Sequence, residues 1–328
     1  MNMTITPLNL IRAVAALALG VCVGAASAQT APDIRFATIE QSRALLGTAD
    51  EWSDLTTDFH RAATMEVAPP VDRERFLKFE ADTAKPWTDA QRARWQKAID
   101  AVKPRFVALG VPVPEQILLI KTDGRDSAGA PYTRRNAVML PADSIDKTTK
   151  SGYSDVELLA HELFHVVSRH SPALSARLYE TIGYKRVGLL QWPDAWKPAR
   201  IVNPDAPLDR DAMDLTIDGR QVSVMPVIMA SRTDLKPGES FFSVMDVRLL
   251  EVRSSNDGSS VAVMKGGEPV WHSLASTPEY FAKLGGNTKY VIHPEETMAD
   301  NFAFLVSGRK VKNPALLERV DAVLKQPR

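Results

Sequence analysis

Cysteine is almost missing from this chain: among 328 residues the only one is Cys22. It lies in an apolar N-terminal stretch, so the rest of the chain has no thiol for a disulfide or a cysteine-ligated metal. An excess of charge of either sign is also lacking. Forty lysines and arginines stand against 40 aspartates and glutamates, which leaves no electrostatic case for a nucleic-acid partner or an anionic membrane surface. After the leader there is no run of like charge, no low-complexity tract and no obvious repeat.

Residues 1–28 read as a secretory signal peptide. Arg12 supplies positive charge, Ala13 to Ala25 an apolar core, and Ala26-Ser27-Ala28 a small-residue cleavage site. The apolar stretch is short for a membrane span. Cys22 follows Val21, where lipoprotein processing wants a small residue. A secreted or periplasmic protein is therefore expected, without an integral span once cleaved. Its mature length would be 328 − 28 = 300 residues, enough for a large core in one extended domain or two parts.

What the chain does have is His161-Glu162-Leu163-Phe164-His165. Two imidazoles four apart with a carboxylate beside the first form the zinc-binding signature of a metallohydrolase. On an α-helix they lie within about 40° of one another and can share a cation, while Glu162 sits to one side, free to handle protons. The local signals for that helix are present. Ser154-Asp155-Val156-Glu157 has the form of a capping box, an almost wholly apolar run follows from Leu158 to Val167, and Pro172 closes it by about residue 170. Two histidines and a glutamate in an apolar helix need partners, since unpartnered buried polar groups are costly. A metal supplies one.

Other elements frame this helix. Residues 29–70 show weak helical patterns around Ile39 to Leu46 and Trp52 to Met65, and read as an N-terminal lobe or a prosegment. Thr88 to Leu109 reads as an amphipathic helix with Thr88 as N-cap. Gln116 to Thr122 and Asn136 to Leu140 read as strands, the second either a core strand or an exposed edge for an extended peptide. Helix returns from about Ala173 to Tyr184, followed by a Pro- and Trp-rich loop to Pro207. Residues 208–275 look β-rich, with hairpin signals at Asp218-Gly219 and Asp257-Gly258. Pro294 can start a helix that stops at Gly308, and Asn313-Pro314 starts the last one.

A catalytic zinc usually takes three protein ligands and keeps a position for water, so the two histidines need a companion. His170 lies nine residues beyond His161, about 180° round the helix. Ser168 and Ser171 stand where the three-histidine pattern needs glycine and histidine. Glu180 is closer in sequence but is followed four positions later by Tyr184. Glu296 is the strongest candidate, because it and Asp300 share a face of the helix begun by Pro294; Glu295 is its rival, about 100° away.

In these two motifs the chain resembles the gluzincin family of zinc metallopeptidases, which combine His-Glu-x-x-His with a downstream glutamate and an aspartate four positions later. The resemblance implies one Zn²⁺ per chain, with His161, His165 and Glu296 as ligands, Glu162 as catalytic base and Asp300 as the partner of His161. It covers about twenty residues. One departure is the 296 − 165 = 131 positions between His165 and Glu296, which require a long insertion, tolerable because loop-closure entropy grows only logarithmically.

The expected architecture is α+β: an N-terminal largely helical region over 29–110, then a zincin-like metallopeptidase domain over 111–328. In that domain an active-site helix packs on a small mixed sheet, and a β-rich insertion occupies about 200–285. The expected activity is hydrolysis of a peptide or protein substrate by activated water. Tyr184, His272, Tyr280, Tyr290 and His293 are candidate oxyanion donors, Tyr290 and His293 preferred because they precede the ligand helix. The rival reading is a non-catalytic zinc-binding or interaction module using the β-rich insertion. A glutamate that coordination does not need distinguishes the two, since structural zinc sites are usually closed by four ligands.

Overall fold

The structure, a computed structural model, describes residues 31–147, 152–236, 239 and 241–326; the leader read at 1–28 lies outside these residues. A small mixed sheet is formed by β1 (Asp33–Phe36), β2 (Ala84–Lys85), β3 (Gln116–Thr122), β4 (Tyr132–Arg134) and β5 (Ala137–Pro141). Its order is β1-β3-β5-β4, with β1, β3 and β5 parallel, β4 antiparallel at one edge, and β2 antiparallel on the end of β3. The chain on either side of residue 110 thus shares one sheet.

Side chains alternate across a strand, and the sheet uses that period to face two cores. Ile117, Leu119, Val138 and Leu140 point into the main core, while Ile120, Ala137 and Met139 meet Leu46 and Ala84 on the other face. The extended run at Asn136 to Leu140 is therefore an interior strand: β5 lies between β3 and β4 and is buried along its whole length. The edge on that side belongs to β4.

Helices α1 (Ile39–Leu46), α2 (Glu51–Leu55), α3 (Asp58–Met65) and α4 (Arg73–Thr83) precede the long α5 (Asp89–Ala108), which Thr88 caps as expected. After the short α6 (Ala142–Asp146) comes α7 (Asp155–His170), the helix with the two histidines. Its capping box is formed: Ser154 Oγ accepts from the Glu157 N–H at 3.2 Å and Glu157 Oε2 accepts from the Ser154 N–H at 2.8 Å. Arg94 of α5 holds Asp155 through two bonds of 2.7 Å.

Helix α8 (Pro172–Glu180) is shorter than the pattern implied, since Tyr184 already belongs to strand β6 (Tyr184–Arg186) and Gly183, at φ 86°, makes the turn between them. Helices α9 (Pro278–Lys283), α10 (Pro294–Ser307) and α11 (Pro314–Leu324) follow the second sheet. Pro294 opens α10 and Gly308, at φ 72°, ends it in the left-handed conformation. Helices α5, α7 and α10 meet at Phe302, whose ring lies 5.3 Å from that of Phe106 and 5.4 Å from that of Phe164. Full burial of such a side chain stabilises by about 1.5–3 kcal/mol.

The expected β-rich region is a second, largely antiparallel sheet. Besides β6 it contains β7 (Leu190–Gln191), β8 (Asp211–Ile217), β9 (Arg220–Ala230), β10 (Met245–Ser254) and β11 (Ser260–Ala262). Asp218-Gly219 turns β8 into β9. The loop between β7 and β8 is anchored on the N-terminal helices: Trp52 Nε1 donates to the Val202 carbonyl at 3.0 Å, and the Val202 N–H donates to His60 Nδ1 at 3.2 Å. Among the described residues no helix is long and apolar enough to cross a membrane.

Candidate metal centre

Helix α10 lies along α7 and brings Glu296 to the two histidines. The imidazole rings of His161 and His165 are 4.9 Å apart, and Glu296 Oε2 lies 3.4 Å from His161 Nε2 and 3.6 Å from His165 Nε2. A tetrahedral ion with bonds of about 2.0–2.1 Å separates its donors by ~3.3 Å. The spacing therefore fits, and these three residues could hold a metal ion.

The rear of each donor is held. His161 Nδ1 lies 2.8 Å from Asp300 Oδ1, and His165 Nδ1 lies 2.8 Å from Glu295 Oε1. A carboxylate only accepts, so each Nδ1 carries the hydrogen, and in the neutral imidazoles each Nε2 turns a lone pair toward the centre. Asp300 accepts in turn from the hydroxyls of Tyr153 and Thr288. Glu295 accepts from Tyr179 and from Ser168 Oγ, the latter at 2.6 Å. Asn203 Nδ2 donates to Glu296 Oε1 at 2.6 Å.

The electrostatics favour positive charge at this spot. Burial opposes protonation of His165, yet Asp205, Glu296 and Glu295 outweigh it and lift the imidazole to about 9. His161 is raised well above its ordinary value against burial by Asp300 and Glu296. Burial alone would raise Glu296, but the two histidines and Asn203 bring it down to about 2. A divalent cation answers the same field that draws protons here.

Glu162 takes no part in holding the donors. It lines a pocket of about 360 Å³ with Gly129, Ala130, Pro131, Tyr153 and Tyr290. Its Oε2 is buried without a hydrogen-bond partner. Burial, opposed by the neighbouring histidines, lifts its carboxyl to about 8. A group so tuned can both take and give a proton near neutrality.

The other sequence candidates fall in different places. Tyr290 lines the pocket, its ring nearly parallel to that of His161 at 6.1 Å. His293 does not line it: the imidazole is the N-cap of α10, Nδ1 accepting from the Glu295 N–H at 3.1 Å, on the side of a separate cavity with Arg169 and Asp211. A histidine just before a helix is well placed to cap it, and that role occupies its acceptor. Tyr184 and Tyr280 bond each other at 2.7 Å in the core, His272 bonds Glu251 at 3.1 Å in the second sheet, and His170 and Glu180 are exposed.

Two residues of the Pro-rich loop carried no sequence signal. Asn203 holds Glu296, and Asp205 joins Glu162 and His165 in a second group that could hold an ion. Asp205 Oδ1 also accepts from the Thr133 N–H at 2.7 Å. That closes the outward side of β4 to an extended peptide at Thr133. Compared with known proteins, the chain matches no family model, no curated protein and no solved structure.

Proposed function

We propose that this chain is a zinc-dependent peptidase with a zincin-like catalytic unit, acting outside the cytoplasm after removal of residues 1–28. One observation carries the reading: a buried glutamate oxygen without a partner stands beside three converging donors whose opposite atoms are all held. A purely structural ion would have no use for it.

His161, His165 and Glu296 would hold the zinc. When bound, zinc brings water toward a pKa of about 7 and polarises a carbonyl. Glu162 Oε2 would take the proton of the attacking water and hand it to the departing amine nitrogen. Asp300 and Glu295 hold the imidazoles in the required tautomer. The Tyr290 hydroxyl is the candidate donor to the developing oxyanion, because the residue lines the pocket while His293 does not.

A chain-like substrate suits the surroundings. Gly129, Ala130, Pro131, Asp205 and Tyr290 also line a neighbouring cavity of about 830 Å³, whose walls include Met65, Ile201, Ile228, Phe242, Met245 and Ile292. A polymer with an apolar side chain beside the cleaved bond could use both spaces. The test is Glu162→Gln in the purified mature protein. One zinc per chain should remain, while cleavage of a peptide library falls by about 10²–10⁴-fold. Unchanged cleavage would remove Glu162 from its role, and a parent protein inert toward peptides with zinc bound would remove the activity.

A further inference from the structure

We propose that Asn203-Pro204-Asp205 is a positioning clamp for the metal centre, aiming Glu296 as a one-oxygen ligand and tying that ligand to the edge of the small sheet. This rests on His161, His165 and Glu296 being metal ligands.

The orientation of the Asn203 amide follows from its two neighbours. A backbone N–H can only donate, so the amide atom 3.0 Å from the Asp205 nitrogen is the oxygen. The NH₂ group therefore faces Glu296, donating to Oε1 at 2.6 Å. With Oε1 engaged, Glu296 turns Oε2 alone toward the two Nε2 atoms, at 3.4 and 3.6 Å.

The loop that carries Asn203 is held on both flanks. Upstream, Val202 is bound through both backbone groups by Trp52 and His60. Burial keeps His60 neutral, with its pKa lowered to about 3, so its Nδ1 can accept. Downstream, Asp205 Oδ1 accepts from the Thr133 N–H at 2.7 Å and from Thr133 Oγ1 at 2.6 Å. Arg169 adds a third tie, donating to the Pro204 carbonyl at 3.1 Å and to Thr133 Oγ1 at 3.0 Å. It lies four and eight residues beyond His165 and His161, on the same face of α7. The clamp thus joins α7, β4 and α10, the elements around the centre.

Zinc affinity of the full mature protein, measured by competition with a chromophoric chelator, tests this. Asn203→Ala should weaken zinc binding by about 10- to 100-fold, change the visible spectrum of the Co²⁺-loaded protein, and leave the melting temperature of the metal-stripped protein close to the parent's. Asp205→Ala, which frees the loop from Thr133, should weaken binding by about tenfold, whereas Asp205→Asn keeps an acceptor and should stay within about threefold. Should Asn203→Ala fail to fold, the two Asp205 variants give the same reading. Affinities of Asn203→Ala and Asp205→Ala within about twofold of the parent, with an unchanged Co²⁺ spectrum, would overturn the clamp alone. A folded parent that takes up no zinc would overturn both the clamp and the ligand assignment beneath it.

Discussion

Asp50, Glu80 and Asp126 gather around Arg134 and Tyr132 beside the large cavity, much as Glu295, Glu296 and Asp300 gather around His161 and His165. Both clusters bring three carboxyl groups together, all buried in the histidine cluster and two of them, Glu80 and Asp126, in the arginine cluster where Asp50 is half-buried, but they spend their hydrogen bonds differently. In the first, Arg134 Nε bonds Asp50 at 2.7 Å and its remaining nitrogens reach the Leu46 and Thr48 carbonyls. The Tyr132 hydroxyl lies 3.1 Å from Glu80 and 2.9 Å from Asp126. A phenol has one hydrogen, so one of those two carboxyls must donate, and burial with the nearby Asp126 charge raises Glu80 well above its ordinary value to do so.

That cluster is closed on itself. In the histidine cluster the held atoms face outward, and the atoms left over, two Nε2 and one Oε2, face one another beside a pocket. Each cluster also leaves one carboxyl oxygen without a partner, Glu80 Oε1 and Glu162 Oε2. Glu162 lines the pocket beside the three donors and Glu80 does not. Buried charge by itself therefore does not tell the two clusters apart; the convergence of three donor atoms does.

The contrast can be broken most forcefully at His165. His165→Ala removes one converging donor and takes the partner of Glu295 Oε1, so one-to-one zinc binding should be lost by metal analysis; retention at parental affinity would make the two clusters equivalent. Next in size is Arg134→Leu, which takes the counter-charge from half-buried Asp50 and the donors from the Leu46 and Thr48 carbonyls and should cost about 3–5 kcal/mol in denaturant unfolding. Zinc content should not change, and a coupled loss of metal would show that the clusters act as one.

A smaller effect sharpens the comparison through pH. Burial pushes Asp126 up to about 6 from an ordinary 3.8, against hydrogen bonds from Tyr132 and Thr122. Its protonated form adds stability that is complete below about 3.8 and lost as pH rises through about 6. The melting temperature of Asp126→Asn should therefore gain on the parent's across that interval; a constant difference would remove the shift. The smallest change is expected for Glu80→Gln at neutral pH. Burial and the Asp126 charge favour the neutral form of Glu80, which an amide resembles, so its loss in denaturant unfolding should be well below that of Arg134→Leu; an equal loss would mean that the carboxyl is ionised.

Much of the fold around the centre was legible because it is written locally. The capping box at Ser154 and Glu157, the stop at Gly308 and the Asp218-Gly219 turn each depend on a few adjacent residues. The end of α8 was misplaced because the apolar pattern continues through Ile182 while Gly183 turns the chain. Whether Asn136 to Leu140 forms a core strand or an exposed edge stayed open in the sequence for a different reason: an apolar extended run fits either place, and only its pairing between β3 and β4 shows that it lies inside.

The amino-acid order by itself determined that His161 and His165 share a helix face and that Glu295, Glu296 and Asp300 project from another helix at set angles, since both follow from the turn of a single helix. Which carboxylate meets which nitrogen was decided only when α10 packed along α7: Glu296 toward the two Nε2 atoms, Asp300 and Glu295 behind the rings. Asn203 and Asp205 enter through contacts 93 and 72 residues apart in the chain. A local pattern sets direction along one element, and meeting across such distances is a property of packing.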